Sequence, residues 1–547
     1  MPLDALAPDV TLINGRIHTM GASGQIVSAL AVAHGRIVAI GSDDEMRSLA
    51  GPRTVVDNLH GATVIPGLID AHNHLLSTGQ TLRQIQLYDC RTIAQILERV
   101  AERIATTPPG QWIIGRGWDE SLLAERRHPT RHDLDRVAPG HPVVLHRVWN
   151  KLVCNSAALR IAGISRETPD PPSTVRYAGS FERDADGEPT GLFRDRAKSL
   201  ILNHIPEPSE EQRVAAIETA CRAYNAVGIT CVAEPGLSPP EIRAFHRAQR
   251  EHRLTVRVDL LMAGWGFVSA DEEAVLEDRF TAIGVEGGFG DDMLRLAGIK
   301  LMPDGGIGDR TARLLEPYAN EPQNRGQWVV EPARLESAIS WVHERGWSMD
   351  IHTCGDEAQA TVVRAFARAQ QQQPKPWLRH RVHHAYLPTP EVLKLMAEYR
   401  IPAVVSNPFL ASLGESFVSS LGETRAARIM PMRTYLDAGV PLAGSSDSPV
   451  ADYNPWNGIA AAVTRRTVTG RALGPEERIT RQKALRSYTA GGAYALGREE
   501  TLGSLEPGKL ADLVVLPRDP CEVPGDELAT LRPLATMLGG QWVVDRR

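Results

Sequence analysis

No run of apolar residues in this chain approaches the roughly 20 that a membrane-crossing helix needs, so a transmembrane protein is not expected. MPLDALAPDVTLINGRIHTM lacks a basic segment followed by an apolar one, and nothing there reads as a secretory signal. Positive charge is not in excess: 60 Lys and Arg face 66 Asp and Glu, a formal net charge of -6, which leaves no basic excess to bind phosphate backbones. Cysteine is scarce and scattered. Cys90, Cys154, Cys221, Cys231, Cys354 and Cys521 form no CxxC pair, which argues against a disulfide framework and suits small buried side chains in a reducing compartment. These absences lead to the expectation of a cytoplasmic protein that binds neither nucleic acid nor membrane. A second copy of the chain, in a homodimer, is an expected partner.

What is present is length and rhythm. At 547 residues the chain exceeds one ordinary core, yet a barrel of roughly 250 residues with insertions and a small appended domain fits it. Val10 to Val56 reads as short alternating strands broken by Gly15, Gly21, Gly24, Gly35 and Gly41, the pattern of a small antiparallel sheet. From there the texture changes to amphipathic helical stretches that lead into short β-branched runs with polar ends. Eight such runs can be counted: ATVIPGLIDAH, ITCVAEP, LTVRVDLLM, MLRLAGIKLMPDG, WSMDIHTCGD, HRVHHAYL, IPAVVSN and VPLAGSSDSP. Strands alternating with helices pair in parallel through crossovers, and eight close most naturally into a barrel.

The segment from about Thr81 to Leu202 is too long for a loop and has strand signals of its own in WIIGRGW and HPVVLHRVW, so it reads as an inserted subdomain. SLEPGKLADLVVLPRDP and MLGGQWVVDRR resume the short-strand texture of the N-terminus. The expected fold class is therefore α/β: a TIM-like (β/α)8 barrel over residues 63–490 with the insertion at about 81–202, and a composite β-sandwich built from 1–62 and 491–547.

In such a barrel the C-terminal strand ends face the active site. His72 and His74 end the first run, Lys300 lies on the fourth, His352 on the fifth, His384 on the sixth, and Asp447 ends the eighth. His-x-His at a strand end puts both imidazoles on one side, because side chains alternate with a period of two. Neutral imidazoles with a carboxylate suit zinc or a related divalent ion. Any one of these residues alone reads as an ordinary polar side chain; the conjunction points to a metal site.

VIPGLIDAHNH, IKLMPDG, DIHTCGDEA, RVHHA, GSSDSPV and LGSLEPGKLADLVVL follow one another along nearly the whole chain. In that order they resemble the amidohydrolase superfamily, and within it the subgroup that includes N-substituted formamide deformylases. The resemblance implies that His72, His74, His352, His384 and Asp447 ligate one or two divalent ions. In RVHHA, His383 stands where relatives often have Glu, so it is His384 that aligns with the ligand. Lys300 is implied to carry a carbamate, an N6-carboxylysine bridging two ions; the plainer alternative is a lysine that orients substrate or pairs with a carboxylate such as Asp304.

The activity implied is hydrolysis of a non-peptide carbon–nitrogen bond, with a cation that acidifies water and polarises the scissile carbonyl. Asp447 would accept the proton and pass it to the leaving nitrogen, and His352 or His384 would steady the developing oxyanion. Trp118 and Asp119 in GRGWDES, with Asp304, Arg310 and Thr311 in DGGIGDRTA, fall in motifs expected near the mouth. Asn150 stands where relatives often have His and is expected to border the substrate. Cys354 invites a nucleophile reading, but packing is the expected role. The substrate expected is a small amide or formamide; a cyclic amide, or the ring carbon of an aminoheterocycle in a deaminase, would suit the same site.

Overall fold

The computed structural model describes residues 7–147, 151–171 and 179–547. All eight expected runs contain strands: β1 (Leu68–Asp70), β2 (Ile229–Leu237), β3 (Arg257–Ala263), β4 (Leu294–Leu301), β5 (Ser348–Thr353), β6 (Arg381–His384), β7 (Ala403–Ser406) and β8 (Leu442–Ser445). Each pairs in parallel with its successor. Between β1 and β8, Ala71 N donates to Gly444 O at 3.1 Å and Asp447 N donates to His72 O at 3.0 Å. The result is a nearly closed (β/α)8 barrel. β6, β7 and β8 are buried along their whole length, as strands covered on both faces must be. The helix Pro332–Glu344 turns the buried stripe Leu335, Ala338, Ile339 and Val342 inward, the spacing of one helical face.

One apolar run divides. ATVIPGLIDAH contains two strands in different sheets: Thr63–Pro66 pairs with Arg16–His18 and, antiparallel, with Leu513–Leu516, whereas β1 begins only at Leu68. Gly67 is the joint, because a Cβ there would lie 2.1 Å from Thr230 Oγ1. The chain passes from one sheet to the next where no side chain fits.

Beyond Leu513–Leu516 the same sheet continues through Ala535–Leu538 and Gln541–Asp545. A second sheet holds Val10–Ile13, Ala29–Ala33, Arg36–Gly41 and Val55–Asn58. Leu12, Leu30 and Val32 of one sheet share a core with Ile17, Val64, Leu513, Val515 and Met537 of the other, so both ends of the sequence build one sandwich. Arg257 at the start of β3 fastens to it through two contacts to Asp512, at 2.7 and 2.8 Å.

Residues 79–216 form a compact unit of their own. Its sheet runs, neighbour to neighbour, Phe181–Arg183, Pro189–Arg194, Lys151–Cys154, Val143–Arg147, Ile113–Trp118, Ile85–Gln86. One apolar cluster gathers around Ile96, Leu145 and Leu192, and another around Phe181, Phe193 and Ile201. Among the described residues no helix is long and apolar enough to cross a membrane.

The HxH segment is braced from below. Glu234 on β2 is buried and accepts from the backbone N–H groups of Leu75 and Leu76 at the start of the helix Leu75–Leu82. Burial pushes its carboxyl well above the usual range. Glu234→Gln keeps an oxygen for one of the two N–H groups and sets an NH2 against the other, so it is expected to cost about 1 kcal/mol of unfolding stability. Glu234→Ala, which strands two N–H donors, should cost about 1–3 kcal/mol. Thermal unfolding of the two variants checks the contrast; equal losses would show that the acceptor oxygens do not matter.

Candidate metal centre

The strand ends bring the expected residues together. His72 and Lys300 are almost fully buried, Asp447 is 7% exposed, and His74 and His352 are partly open. Asp447 Oδ1 lies 3.6 Å from His72 Nε2 and 3.3 Å from His74 Nε2. The loop after β1 is laced to the loop after β8: His74 N donates to Ser448 O at 2.9 Å, and Asp70 Oδ1 accepts from Ser446 N at 3.0 Å. On the other side of the set, His352 Nδ1 and His384 Nε2 are 3.0 Å apart.

Two of these positions carry backbone strain. His384 has φ +68° and Asp447 φ +54°, a region that non-glycine residues enter at a cost and that clusters at functional sites. At β6 the reason is visible. Strict alternation would admit only one of His383 and His384, but the left-handed turn at His384 breaks it, and the two rings lie 3.7 Å apart by centroid.

His383 is therefore in the site together with its neighbour. Its Nδ1 is 3.4 Å from Lys300 Nζ, its Nε2 is 3.1 Å from Ser406 Oγ, and its ring stacks on His72 with centroids 3.4 Å apart.

Sequence reasoning did not assign Asp350 or Arg381. Asp350 accepts from Lys300 Nζ at 2.7 Å and from Arg381 Nε at 2.9 Å, and lies 3.0 Å from His72 Nδ1. The carboxylate that pairs with Lys300 is thus Asp350, and the alternative pairing with Asp304 is corrected. Asp304 is turned the other way: its Oδ2 accepts from Arg313 N at 2.9 Å and Gly355 N at 2.8 Å, and its Oδ1 lies 3.6 Å from His352 Nε2. Its side chain ties the loops after β4 and β5 together.

Arg310, Thr311, Trp118 and Asp119 make local contacts of their own. Arg310 pairs with Glu321, and Thr311 accepts from Gly306 N at 3.0 Å. Within the inserted unit Trp118 is fully buried and spends its Nε1–H on Leu145 O at 3.1 Å, so it serves as a core side chain there. Asp119 accepts from Ser121 N at 2.9 Å and Arg147 Nη2 at 3.2 Å. Asn150 lies outside the described residues.

Electrostatics favour neutral imidazoles. Burial, reinforced by Lys300, pulls both His72 and His352 down to about 4, and burial holds His383 and His384 well below the usual histidine range. The neutral ring is the form that can offer a lone pair to a cation. Burial would raise Asp350, but Lys300, His72 and Arg381 hold it well below the carboxylate range. Burial, with Asp304 and Asp447 near, drives the Cys354 thiol up, which keeps it protonated and unfit as a nucleophile.

The donor set fits a divalent ion. Ligand atoms of His72, His383 and Asp447 lie within 4.8 Å of one another, as do those of His352, Cys354 and His384. Hydrogen placement supports this. Gly305 O, 3.1 Å from His352 Nε2, can only accept, so that nitrogen carries the proton and His352 Nδ1 keeps its lone pair, facing His384 Nε2. His384 Nδ1 is buried with no hydrogen-bond partner.

Comparison with known proteins agrees with this reading. The sequence profile of the amidohydrolase family matches residues 55–544. The chain is 31% identical to YtcJ of Bacillus subtilis strain 168, over 97% of this chain and 98% of that protein. With the N-substituted formamide deformylase of Arthrobacter pascens it shares 30% identity, over 97% of each. An uncharacterized metal-dependent hydrolase from Pyrococcus furiosus superposes with a TM-score of 0.77 at 28% identity, covering 94% of this chain and all of that one.

Proposed function

The chain belongs to the amidohydrolase family of metal-dependent hydrolases acting on non-peptide carbon–nitrogen bonds, and from that premise we propose that it hydrolyses a small amide or formamide. The observation that carries this is the buried Asp447 carboxylate set 3.6 and 3.3 Å from two imidazole nitrogens. The 30% identity with a formamide deformylase supports formamides as the first substrates to try.

Zinc or a similar ion would be held by His72, His74 and Asp447, and a second one by His352 and His384. Lys300 would be N6-carboxylated and supply the anionic bridge; a carbamate nitrogen keeps one N–H, which Asp350 can still accept. When bound, the ion supplies a Lewis acid that polarises the scissile carbonyl and makes water acidic near neutral pH.

The chain's own residues do the rest. Asp447 takes the proton of the attacking water at a carboxylate oxygen and returns it to the departing nitrogen. His384, its Nε2 set 3.0 Å from His352 Nδ1, would help to hold the reacting carbonyl in place.

His72→Ala and His74→Ala are each expected to lower bound metal as well as rate. Loss of a histidine outside the site would change stability by no more than about 0.5 kcal/mol and leave metal content intact. Metal analysis of the purified variants checks this; full occupancy in both would sink the ligand assignment. For the substrate class, formamides, N-acyl amines, cyclic imides and aminoheterocycles are assayed with zinc. Turnover confined to the aminoheterocycles would overturn the amide reading.

A further inference from the structure

Asp350 is fully buried on β5, and everything its carboxylate meets is a donor. Oδ1 accepts from Lys300 Nζ at 2.7 Å, while Oδ2 accepts from Arg381 Nε at 2.9 Å and lies 3.0 Å from His72 Nδ1. A buried carboxylate needs a partner of opposite charge, and Arg381 meets that need, with Lys300 Nζ giving a further N–H. Charge neutralisation does not require the third contact, to His72.

Its consequence is chemical. Both oxygens of Asp350 already act as acceptors, Oδ1 from Lys300 Nζ, which keeps an N–H as amine or carbamate alike, and Oδ2 from Arg381 Nε, so His72 Nδ1 meets Oδ2 as a donor and Nε2 presents its lone pair. That nitrogen faces Asp447 Oδ1 at 3.6 Å. Two electron-pair donors so placed repel each other, and a cation between them turns the repulsion into attraction. The ring is also clamped against rotation, stacked on His383 with an interplanar angle of 17°.

We infer that Asp350 is the positioning residue of the metal centre: it fixes the tautomer and the orientation of His72, while Arg381 and Lys300 hold the carboxylate in place. This deepens the metal-dependent reading above and rests on it. A carboxylate behind a ligating histidine raises the ring's basicity and sets its angle, and losing such a brace typically costs about 10–100-fold in metal affinity.

The test is a double-mutant cycle on zinc affinity, measured by chelator competition, over wild type, Asp350→Asn, His72→Ala and the double variant. Thermal unfolding of each metal-free protein is followed alongside. Asp350→Asn is expected to weaken zinc binding about 10–100-fold when His72 is present and to have almost no further effect when His72 is absent, because it acts through that ring. Unchanged affinity, or the same loss in both backgrounds, would overturn the inference: Asp350 would then only pair with Arg381 and Lys300. Should Asp350→Asn fail to fold, Asp350→Glu keeps the counter-charge for Arg381 and carries the same cycle with the same two outcomes. A wild type that takes up no ion would bring down the metal-dependent reading itself, a result distinct from either.

Discussion

Asp447→Asn is expected to lower kcat by about 10²–10⁴-fold, the range for loss of a positioned proton acceptor, while the fold and much of the metal remain. The substitution is well matched to the backbone. Asp447 sits at φ +54°, where asparagine is among the few non-glycine residues readily accommodated, and the hydrogen bond from its N–H to His72 O does not involve the side chain. The amide oxygen can still face His72 and His74, but it cannot take a proton. Steady-state kinetics with metal analysis on the same preparation decide the matter. A kcat within a few-fold of wild type removes Asp447 from the proton path, and metal loss in parallel with rate would reduce it to a ligand.

Lys300→Ala is expected to lose one of two metal equivalents and to lose activity by more than the about 10–100-fold typical of removing a residue that merely braces a ligand. Added formate or acetate should restore part of both, since a short carboxylate can occupy the space of the missing bridge. The environment of Lys300 suits the chemistry. Burial lowers its affinity for a proton, against the pull of Asp350, and the neutral amine is the form that adds to carbon dioxide. A wild type with one ion, together with a variant that no carboxylate rescues, would leave Lys300 as the ammonium that pairs with Asp350.

The parts of this architecture that were readable in the sequence are those with a local signature. Each helix-to-strand unit announces itself by a switch from helical to β-branched patterning, which is why all eight barrel strands were found. His72 and His74 follow from a period of two at a strand end. The division of ATVIPGLIDAH at Gly67 left no such mark, since apolar residues flank it on both sides and the deciding contact is with Thr230. Asp350 could have been found: it lies two residues before His352 and so shares its face of β5. What hid it was that its partners Lys300, Arg381 and His72 come from β4, β6 and the segment after β1. His384 was preferred to His383 because relatives often have Glu at the latter position; the left-handed φ of His384, which brings both rings into the site, is a tertiary feature. Asp304 was expected near the mouth by motif; its use as a backbone acceptor depends on Arg313 and Gly355, which no spacing reveals.

The lacing of the loop after β1 to the loop after β8 has a consequence for biosynthesis. His72 and His74 emerge from the ribosome early, yet the groups that meet them, Asp447 and Ser448, are made only when most of the chain is complete. Contacts of such sequence separation form slowly, and domains generally fold as units once their sequence is available. A nascent chain that ends before β8 therefore lacks Asp447, and with it the finished site for an ion at His72 and His74. Tight metal capture becomes a late event, and because an ion that prefers the finished arrangement stabilises it by mass action, cellular metal supply bears on how much of this protein reaches and keeps its closed form.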